Sequence, residues 1–206
     1  MDSIDSNDTA SQLRFVKRSL HGMMNGPVSA SMRSMGLAYK VNFGVEQPRL
    51  REFAGQLPHT YELASALWKE DIRECRILAG MVMPAERFDS QLAEVWMEQM
   101  RYPEEAECTV MNLFVHLKDA SDKAFEWMAS ERELGQVCGF LLLARLLMKG
   151  ARLSERDEQE YLDHTEAALN ADSNAVRMAA RKCLMKYMDL GEREEHMAES
   201  MLERLG

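Results

Sequence analysis

The sequence lacks the features that direct a chain into a membrane or out of the cell. Its longest apolar run extends from Phe140 to Ala144 and ends at Arg145, which is far too short to span a bilayer. Residues 1–12 are acidic and polar, whereas a signal peptide needs basic residues followed by apolar ones. We therefore predict a cytoplasmic protein that makes no contact with a membrane.

Catalytic motifs, cofactor motifs and cysteine pairs are lacking as well. No GxGxxG, GxxxxGK[ST], HExxH or GxSxG pattern occurs, and we predict no cofactor. The five histidines fall in different segments without the spacing of metal ligands, so we predict no metal site. Four cysteines without a CxxC pair are interpreted as reduced thiols where neighbouring helices pack: Cys75, Cys108, Cys138 and Cys183.

The sequence has fewer basic than acidic residues. The 206 residues carry 34 Asp and Glu against 25 Lys and Arg, which gives a net charge of −9. This balance argues against a protein held to nucleic acid or anionic membrane by bulk electrostatics, but it leaves room for a local basic surface. With 46% hydrophobic residues, the chain has ample material for a folded core.

Helical periodicity is the main positive signal. Alternating β-branched segments are missing, and the 17 methionines mostly fall on apolar helical stripes. We predict an all-α fold, a curved α-solenoid of HEAT-like antiparallel helical pairs forming one domain over residues 1–206. Residues 1–58 form an irregular helical cap, residues 59–191 form four pairs, and residues 192–206 form a closing helix.

The predicted pairs have defined bounds and caps. Asp8, Ser121, Ser154 and Ser173 are predicted N-caps, and Pro103 occupies a first helical turn. The pairs cover 60–69 and 71–83, 89–101 and 103–118, 121–131 and 132–149, and 154–170 and 173–190. Most methionines are interpreted as core residues; the alternative is an exposed groove with methionine as an adaptable contact surface.

One basic cluster stands out in the last pair. The helix predicted over 173–190 carries basic residues one turn apart, and others are nearby in the order of repeats. We predict that they line one concave face and bind nucleic acid; the alternative is ordinary solvated charge beside the acidic run 155–160. The candidates for contact with nucleic acid are Arg145, Lys149, Arg177, Arg181, Lys182 and Lys186, with Arg152 close by.

Two segments resemble the AlkD-type DNA alkylation repair family. FGVEQPRLREFA, residues 43–54, is similar to a segment near the start of that family, and LWKEDIRECRILAGMVM, residues 67–83, looks like its tryptophan-led pair of helices. Three residues of the second segment fall on the family's most typical positions: Glu74, Arg76 and Ala79. GPVSASMRSMGL, residues 26–37, fits the preceding region, and the four pairs match the family in number and order.

The resemblance implies a stack of helical pairs whose concave face binds DNA. Active members release N3- and N7-alkylated purines by hydrolysing the glycosidic bond. Aromatic faces favour the cationic base, and a carboxylate stabilises the oxocarbenium-like sugar while it positions water. Basic side chains hold the flanking phosphates.

The residues that would carry this chemistry are replaced here. Where the family has a tryptophan and, four positions on, an aspartate, this chain has Tyr102 and Ala106, unless Glu105 shifts into the carboxylate position. Cys138 lies about where an arginine belongs, and Lys182 replaces a second tryptophan. We therefore predict a family member with weak or absent glycosylase activity.

Three functions follow as hypotheses. The first is an interaction module that has lost the catalytic set and binds duplex DNA weakly, or a protein partner, along its concave face. The second is an alkylpurine DNA glycosylase with a rearranged site built from Tyr102, Glu105 and Lys182. The third is a protein scaffold without a role on nucleic acid, which fits the acidity of the chain best.

Overall fold

The computed structural model describes residues 8–205, and most of that range is helical. Residues 1–7 and Gly206 lie outside the described residues. The predictions that concern them therefore lie outside as well: the start of the helical cap, the end of the closing helix and part of the interpretation of residues 1–12 as lacking a signal peptide. Between residues 8 and 205 there is no β-strand, only an isolated parallel bridge between Val41 and Ile72. The all-α prediction is confirmed.

Twelve α-helices occur in this range. They are α1 Thr9–Gly22, α2 Gly26–Ser34, α3 Gln47–Ala54, α4 Tyr61–Trp68, α5 Arg73–Val82, α6 Ser90–Gln99, α7 Pro103–Asn112, α8 Ala120–Met128, α9 Glu133–Met148, α10 Glu155–Leu169, α11 Asn174–Met188 and α12 Glu192–Leu205. The eight helices predicted for the four pairs are all present. Helices α4 and α5, α8 and α9, and α10 and α11 pack on each other, whereas the pairing of α6 with α7 stays a prediction. The chain divides into two compact units, one ending at Phe88 and the other starting at Asp89, and their assignment to a single domain stays a prediction.

The first unit packs α1 against α4, and both α3 and α4 against α5. The Asp8 carboxylate caps α1 as predicted, since it accepts hydrogen bonds from the backbone N–H groups of Ala10 and Ser11. Val16 and Leu20, one turn apart on α1, are fully buried. This spacing gives α1 one apolar face for the core.

A buried ion pair in the first unit joins the two segments with family-like sequence, residues 43–54 and 67–83. The Glu74 carboxylate accepts hydrogen bonds from the backbone N–H groups of Phe43 at 3.1 Å and Val45 at 3.2 Å. Arg73 donates to the Val45 carbonyl at 2.9 Å and to Glu74 at 3.0 Å. Gly44 between them has φ of 73°, and a Cβ there would lie 2.6 Å from the backbone nitrogen of Ser29. These segments therefore specify the fold of the unit.

The second unit is built around α9, which packs against α6, α7, α8 and α11. Its close approach to α8 depends on Gly139, where a Cβ would lie 2.7 Å from the carbonyl oxygen of Ala124. Helix α12 is fastened by a bidentate pair, in which Arg193 donates to Glu158 of α10 at 2.8 and 2.6 Å. The hydroxyl of Tyr187 in α11 donates to the same carboxylate at 2.7 Å.

Predictions for single residues can be compared with the structure at the helix N-caps and at the cysteines. Ser154 and Ser173 cap α10 and α11 as predicted. The N-cap prediction for Ser121 is wrong, because α8 begins at Ala120 after Asp119, whose carboxylate accepts a hydrogen bond from the hydroxyl of Ser90 in α6. All four cysteines are buried, which confirms their packing role: Cys75, Cys108, Cys138 and Cys183.

Candidate nucleic-acid interface

Three neighbouring helices of the second unit, α7, α9 and α11, line an open groove. It consists of two adjoining cavities of about 290 and 260 Å³, and both are bordered by Glu107, Leu141 and Lys182. Each helix contributes residues at positions i, i+4 and i+7, which share one face of a helix. These residues are Pro103, Glu107 and Val110 on α7, Leu141, Arg145 and Met148 on α9, and Met178, Lys182 and Met185 on α11.

Three of the predicted basic residues converge on the larger cavity. Arg145 reaches it from α9, and Lys182 and Lys186 reach it from successive turns of α11. No carboxylate within residues 8–205 lies at ion-pair distance from Arg145, so its charge faces the groove without a fixed counter-ion. The predicted basic strip is therefore brought together in part, by two helices that are adjacent in space.

The other predicted basic residues lie elsewhere on the second unit. The guanidinium of Arg177 donates to the backbone carbonyls of Ala171 at 2.6 Å and Asp172 at 2.8 Å, and thereby fixes the turn that precedes α11. Arg181 and Lys149 are exposed and border neither cavity.

Carboxylates engage both groove lysines. Nζ of Lys182 lies 2.7 Å from Oε1 of Glu107 on α7, and the two side chains are 51% and 49% exposed. Nζ of Lys186 lies 2.7 Å from Oδ2 of Asp189 at the end of α11. Together with Arg145 these groups leave the groove with a small excess of positive charge, much less than the sequence of α11 alone indicates.

The residues proposed from sequence for a rearranged catalytic site do not share the groove. Tyr102 is the N-cap residue of α7 and is partly buried, with the Arg101 guanidinium carbon 5.9 Å from its ring centre. Glu105 is 1% exposed, and its Oε2 accepts a hydrogen bond from the backbone N–H of Arg101 at 2.9 Å, which secures the start of α7. Only Lys182 of the three lines the groove.

Two kinds of groove residue are not among the predicted site residues, although an exposed methionine groove is the alternative that the sequence leaves open. Glu107, four positions after Pro103, is the carboxylate that reaches the groove. It lies one position beyond Ala106, which takes the place of the family's aspartate when Tyr102 is aligned with the family's tryptophan. Exposed methionines are the other kind: Met148, Met178 and Met185 are 58%, 44% and 62% exposed. The i, i+4, i+7 spacing shared by three successive inner helices is the sequence signal that identifies both.

The lining combines cations with apolar side chains and has no aromatic ring among the described residues that border either cavity. Such a surface can hold phosphate oxygens through Arg145 and the lysines and can pack the methionine side chains on an apolar group.

In the described part of the chain, no helix combines the length and apolarity needed to cross a membrane.

The helical pairs and this groove define a helical-repeat protein of the HEAT-like class. One solved structure, described as a new family of proteins related to the HEAT-like repeat DNA glycosylases with affinity for branched DNA structures, matches with a TM-score of 0.83 and 16% identity, covering 94% of this chain and 83% of that chain. The family model for the DNA alkylation repair enzyme matches residues 16–189, so the chain belongs to that family. No curated protein matches the chain significantly.

Proposed function

We propose that this member of the family is a weak DNA-binding module that holds phosphates in the groove of α7, α9 and α11 and does not excise alkylated bases. The observation that carries the proposal is the convergence of Arg145, Lys182 and Lys186 on a groove that no aromatic side chain borders among residues 8–205. Several cations that border one groove can hold phosphates of a DNA backbone, whereas aromatic faces favour a cationic purine.

The electrostatics of the groove support weak binding. If three phosphates are neutralised, the affinity for duplex DNA falls with salt with a slope of about 2.7 in log–log form. Glu107 and Asp189 already engage two of the cations at 2.7 Å, and the whole chain carries −9, so phosphates must compete with carboxylates at the site. Both factors favour a weak affinity for DNA that is lost at physiological salt concentrations or above.

Binding is tested by fluorescence anisotropy with labelled DNA between about 50 and 200 mM salt. Because the structurally similar protein is described as having affinity for branched DNA, the probes include a four-way junction beside a linear duplex. Lys182→Ala is expected to weaken binding and to reduce the salt slope by about 1, whereas its exposed neighbour Arg181 serves as a charge-matched control in Arg181→Ala. Affinity that shows no dependence on salt, or equal losses in both variants, contradicts a phosphate-binding groove and leaves the protein-scaffold function.

A rearranged glycosylase is the second candidate, because one carboxylate, Glu107, does reach the groove. A carboxylate there has the charge needed to stabilise an oxocarbenium-like sugar, and a single contribution of this type is worth about 2.7–4 kcal/mol in a comparable case. Its ion pair with Lys182 counts against this function, and so does the lack of aromatic side chains among the described residues that border the groove.

Base release decides between the two functions. The pure protein is incubated with duplex DNA that contains N7-methylguanine, and free base is measured over time. We expect no release above background. Release that disappears in Glu107→Gln, while DNA binding is retained, would establish the enzyme and refute the non-catalytic module.

A further inference from the structure

The groove exposes methionine side chains at the positions where it is also cationic. Met148 on α9 and Met185 on α11 both border the larger cavity, beside Arg145, Lys182 and Lys186. Their exposures, 58% and 62%, are far from the burial of core methionines such as Met201, which is fully buried. Large exposed apolar side chains that gather in a concave site indicate contact with an apolar group of a partner.

A closed duplex offers little apolar surface to a shallow groove, because its bases are stacked and only their edges are open in the grooves. Its outer surface consists of phosphates and sugars, which reward the cations and leave the methionine side chains without a partner. Unpaired bases differ, because they present flat apolar faces only a few bonds away from the phosphates that the same cations bind. Between duplex and unpaired DNA, the unpaired form is the one that matches both the charge and the apolar surface of the groove.

We propose that the groove accepts an unpaired DNA base, with Met148 and Met185 packed on the base and with Arg145, Lys182 and Lys186 on the flanking phosphates. The larger cavity, at about 290 Å³, is close to the lower size limit of small-molecule pockets, about 300 Å³. Methionine suits this role because its flexible, polarisable thioether makes favourable contacts with aromatic rings and adapts to different bases. The inference rests on the proposed function, since it names the feature of DNA that the same groove recognises.

The ion pair between Lys182 and Glu107 fits this mode of binding. It crosses the groove where the two cavities adjoin, and both partners are about half exposed, so little is lost when a phosphate takes the place of the carboxylate. Lys182 can then bind a phosphate while Met185, three residues further along α11, remains directed at the larger cavity. The base and its own backbone are thus held by one face of a single helix.

The test compares three labelled DNA probes by anisotropy: a linear duplex, the same duplex with a bulge of unpaired thymines, and a fully paired four-way junction. We expect the bulged probe to bind about three- to tenfold more tightly than the duplex. The double variant Met148→Ser, Met185→Ser should lose this preference and keep the salt slope. The matched control is Met24→Ser, Met35→Ser, which alters two methionines of the first unit that are 55% and 71% exposed.

A second readout uses oxidation of methionine by dilute peroxide, followed by mass spectrometry of the peptides. Bulged DNA should protect Met148 and Met185 and leave Met24 and Met35 unprotected. This measurement uses the unaltered chain, so it does not depend on whether the double variant folds.

The outcomes separate this inference from the function on which it rests. Lack of salt-dependent binding to every probe overturns the proposed function and the inference together. Salt-dependent binding without preference for the bulge, or a preference that follows the fully paired junction, overturns the inference alone. Stronger displacement of DNA by an acidic amphipathic peptide than by an unlabelled bulged probe overturns it in favour of a protein partner.

Discussion

Nζ of Lys182 in α11 lies 2.7 Å from Oε1 of Glu107 in α7, and this ion pair joins residues 75 positions apart across the groove. Exposed pairs of this kind contribute about 0–1 kcal/mol to stability, because solvent screens them. Its larger effect is on the charge of the groove. Glu107 pairs with the ammonium group of Lys182 and also places a negative charge near any phosphate. Under the proposed function, the pair therefore limits the affinity of the groove for DNA.

Neutralising Glu107 should strengthen DNA binding. In Glu107→Gln, Lys182 becomes available to a phosphate, and a charge that repels phosphates is removed. Two charges 4 Å apart in water interact by about 1 kcal/mol, which corresponds to about a fivefold gain in affinity. Anisotropy titrations with the duplex at low salt measure the change. Glu98→Gln on α6 is the matched control, because it changes the net charge equally at an exposed position that does not border the groove.

An equal gain in both variants would assign the effect to net charge and not to the ion pair. A loss of affinity in Glu107→Gln would mean that Glu107 positions Lys182 for DNA instead of competing for it.

Removing groove cations one at a time should reduce the salt dependence of DNA binding in steps. Arg145→Ala and Lys186→Ala are each expected to lower the slope of the log–log plot by about 1, since each side chain holds one phosphate in the proposed complex. Arg177→Ala should leave the slope unchanged, because its guanidinium is held by backbone carbonyls before α11. Its expected effect is a loss of stability of about 1 kcal/mol, measured by urea unfolding.

Slopes that fall by the same amount in Arg177→Ala would extend the interface along α11, as the sequence of that helix alone predicts. Slopes that do not change in Arg145→Ala would place the DNA outside the larger cavity.

The helices were predictable from sequence because the signals that define them are local. The stripe of Val16 and Leu20 and the serine caps of α10 and α11 act within a few residues. The prediction for Ser121 is wrong because α8 begins earlier, after Asp119, whose carboxylate contacts Ser90 of a different helix. Such a contact has no local signature.

The groove was only partly predictable, for the same reason. The run of cations on α11 is visible in the sequence, but it does not show that Arg177 binds the preceding turn or that Glu107 engages Lys182. Glu105 is a conspicuous acid next to Tyr102, yet its carboxylate is used to secure the start of α7. The site depends on three helices whose relative rotation is set by packing on α9.

Acid should loosen the attachment of α12. Hydrogen bonds from Arg193, supported by the hydroxyl of Tyr187, lower the pKa of Glu158 below its ordinary value, despite the opposing effect of burial. A carboxyl group with a lowered folded-state pKa stabilises the fold above its unfolded pKa of about 4.3, and that contribution is lost as the pH falls through the folded pKa. Glu158→Gln removes the contribution at every pH.

We therefore expect Glu158→Gln to lower the free energy of unfolding by about 1–2 kcal/mol at pH 7, and the difference from the unaltered protein to shrink below about pH 4. Denaturation followed by circular dichroism between about pH 3 and 7 measures this difference. Glu203→Gln, an exposed position on α12, controls for the loss of one charge. A difference that is constant over the whole range would show that the ionised form of Glu158 is not what fastens α12.

Gly139 should tolerate no side chain, because α8 and α9 approach each other at this point. A Cβ would lie 2.7 Å from the carbonyl oxygen of Ala124 and 2.8 Å from Cγ of Met128, and the first of these atoms belongs to backbone that cannot move aside cheaply. Gly139→Ala should therefore cost about 2–3 kcal/mol through overpacking, or a fall in Tm of about 4–12 °C for a chain of this size.

The control for Gly139→Ala is a helical glycine with open space around it. At Gly22, the last residue of α1, a Cβ would meet nothing within 4 Å, so Gly22→Ala should leave Tm unchanged or raise it through a gain of about 0.4–1 kcal/mol. Thermal melts followed by circular dichroism compare the two variants directly. Equal behaviour of the two variants would contradict the close packing of α8 on α9.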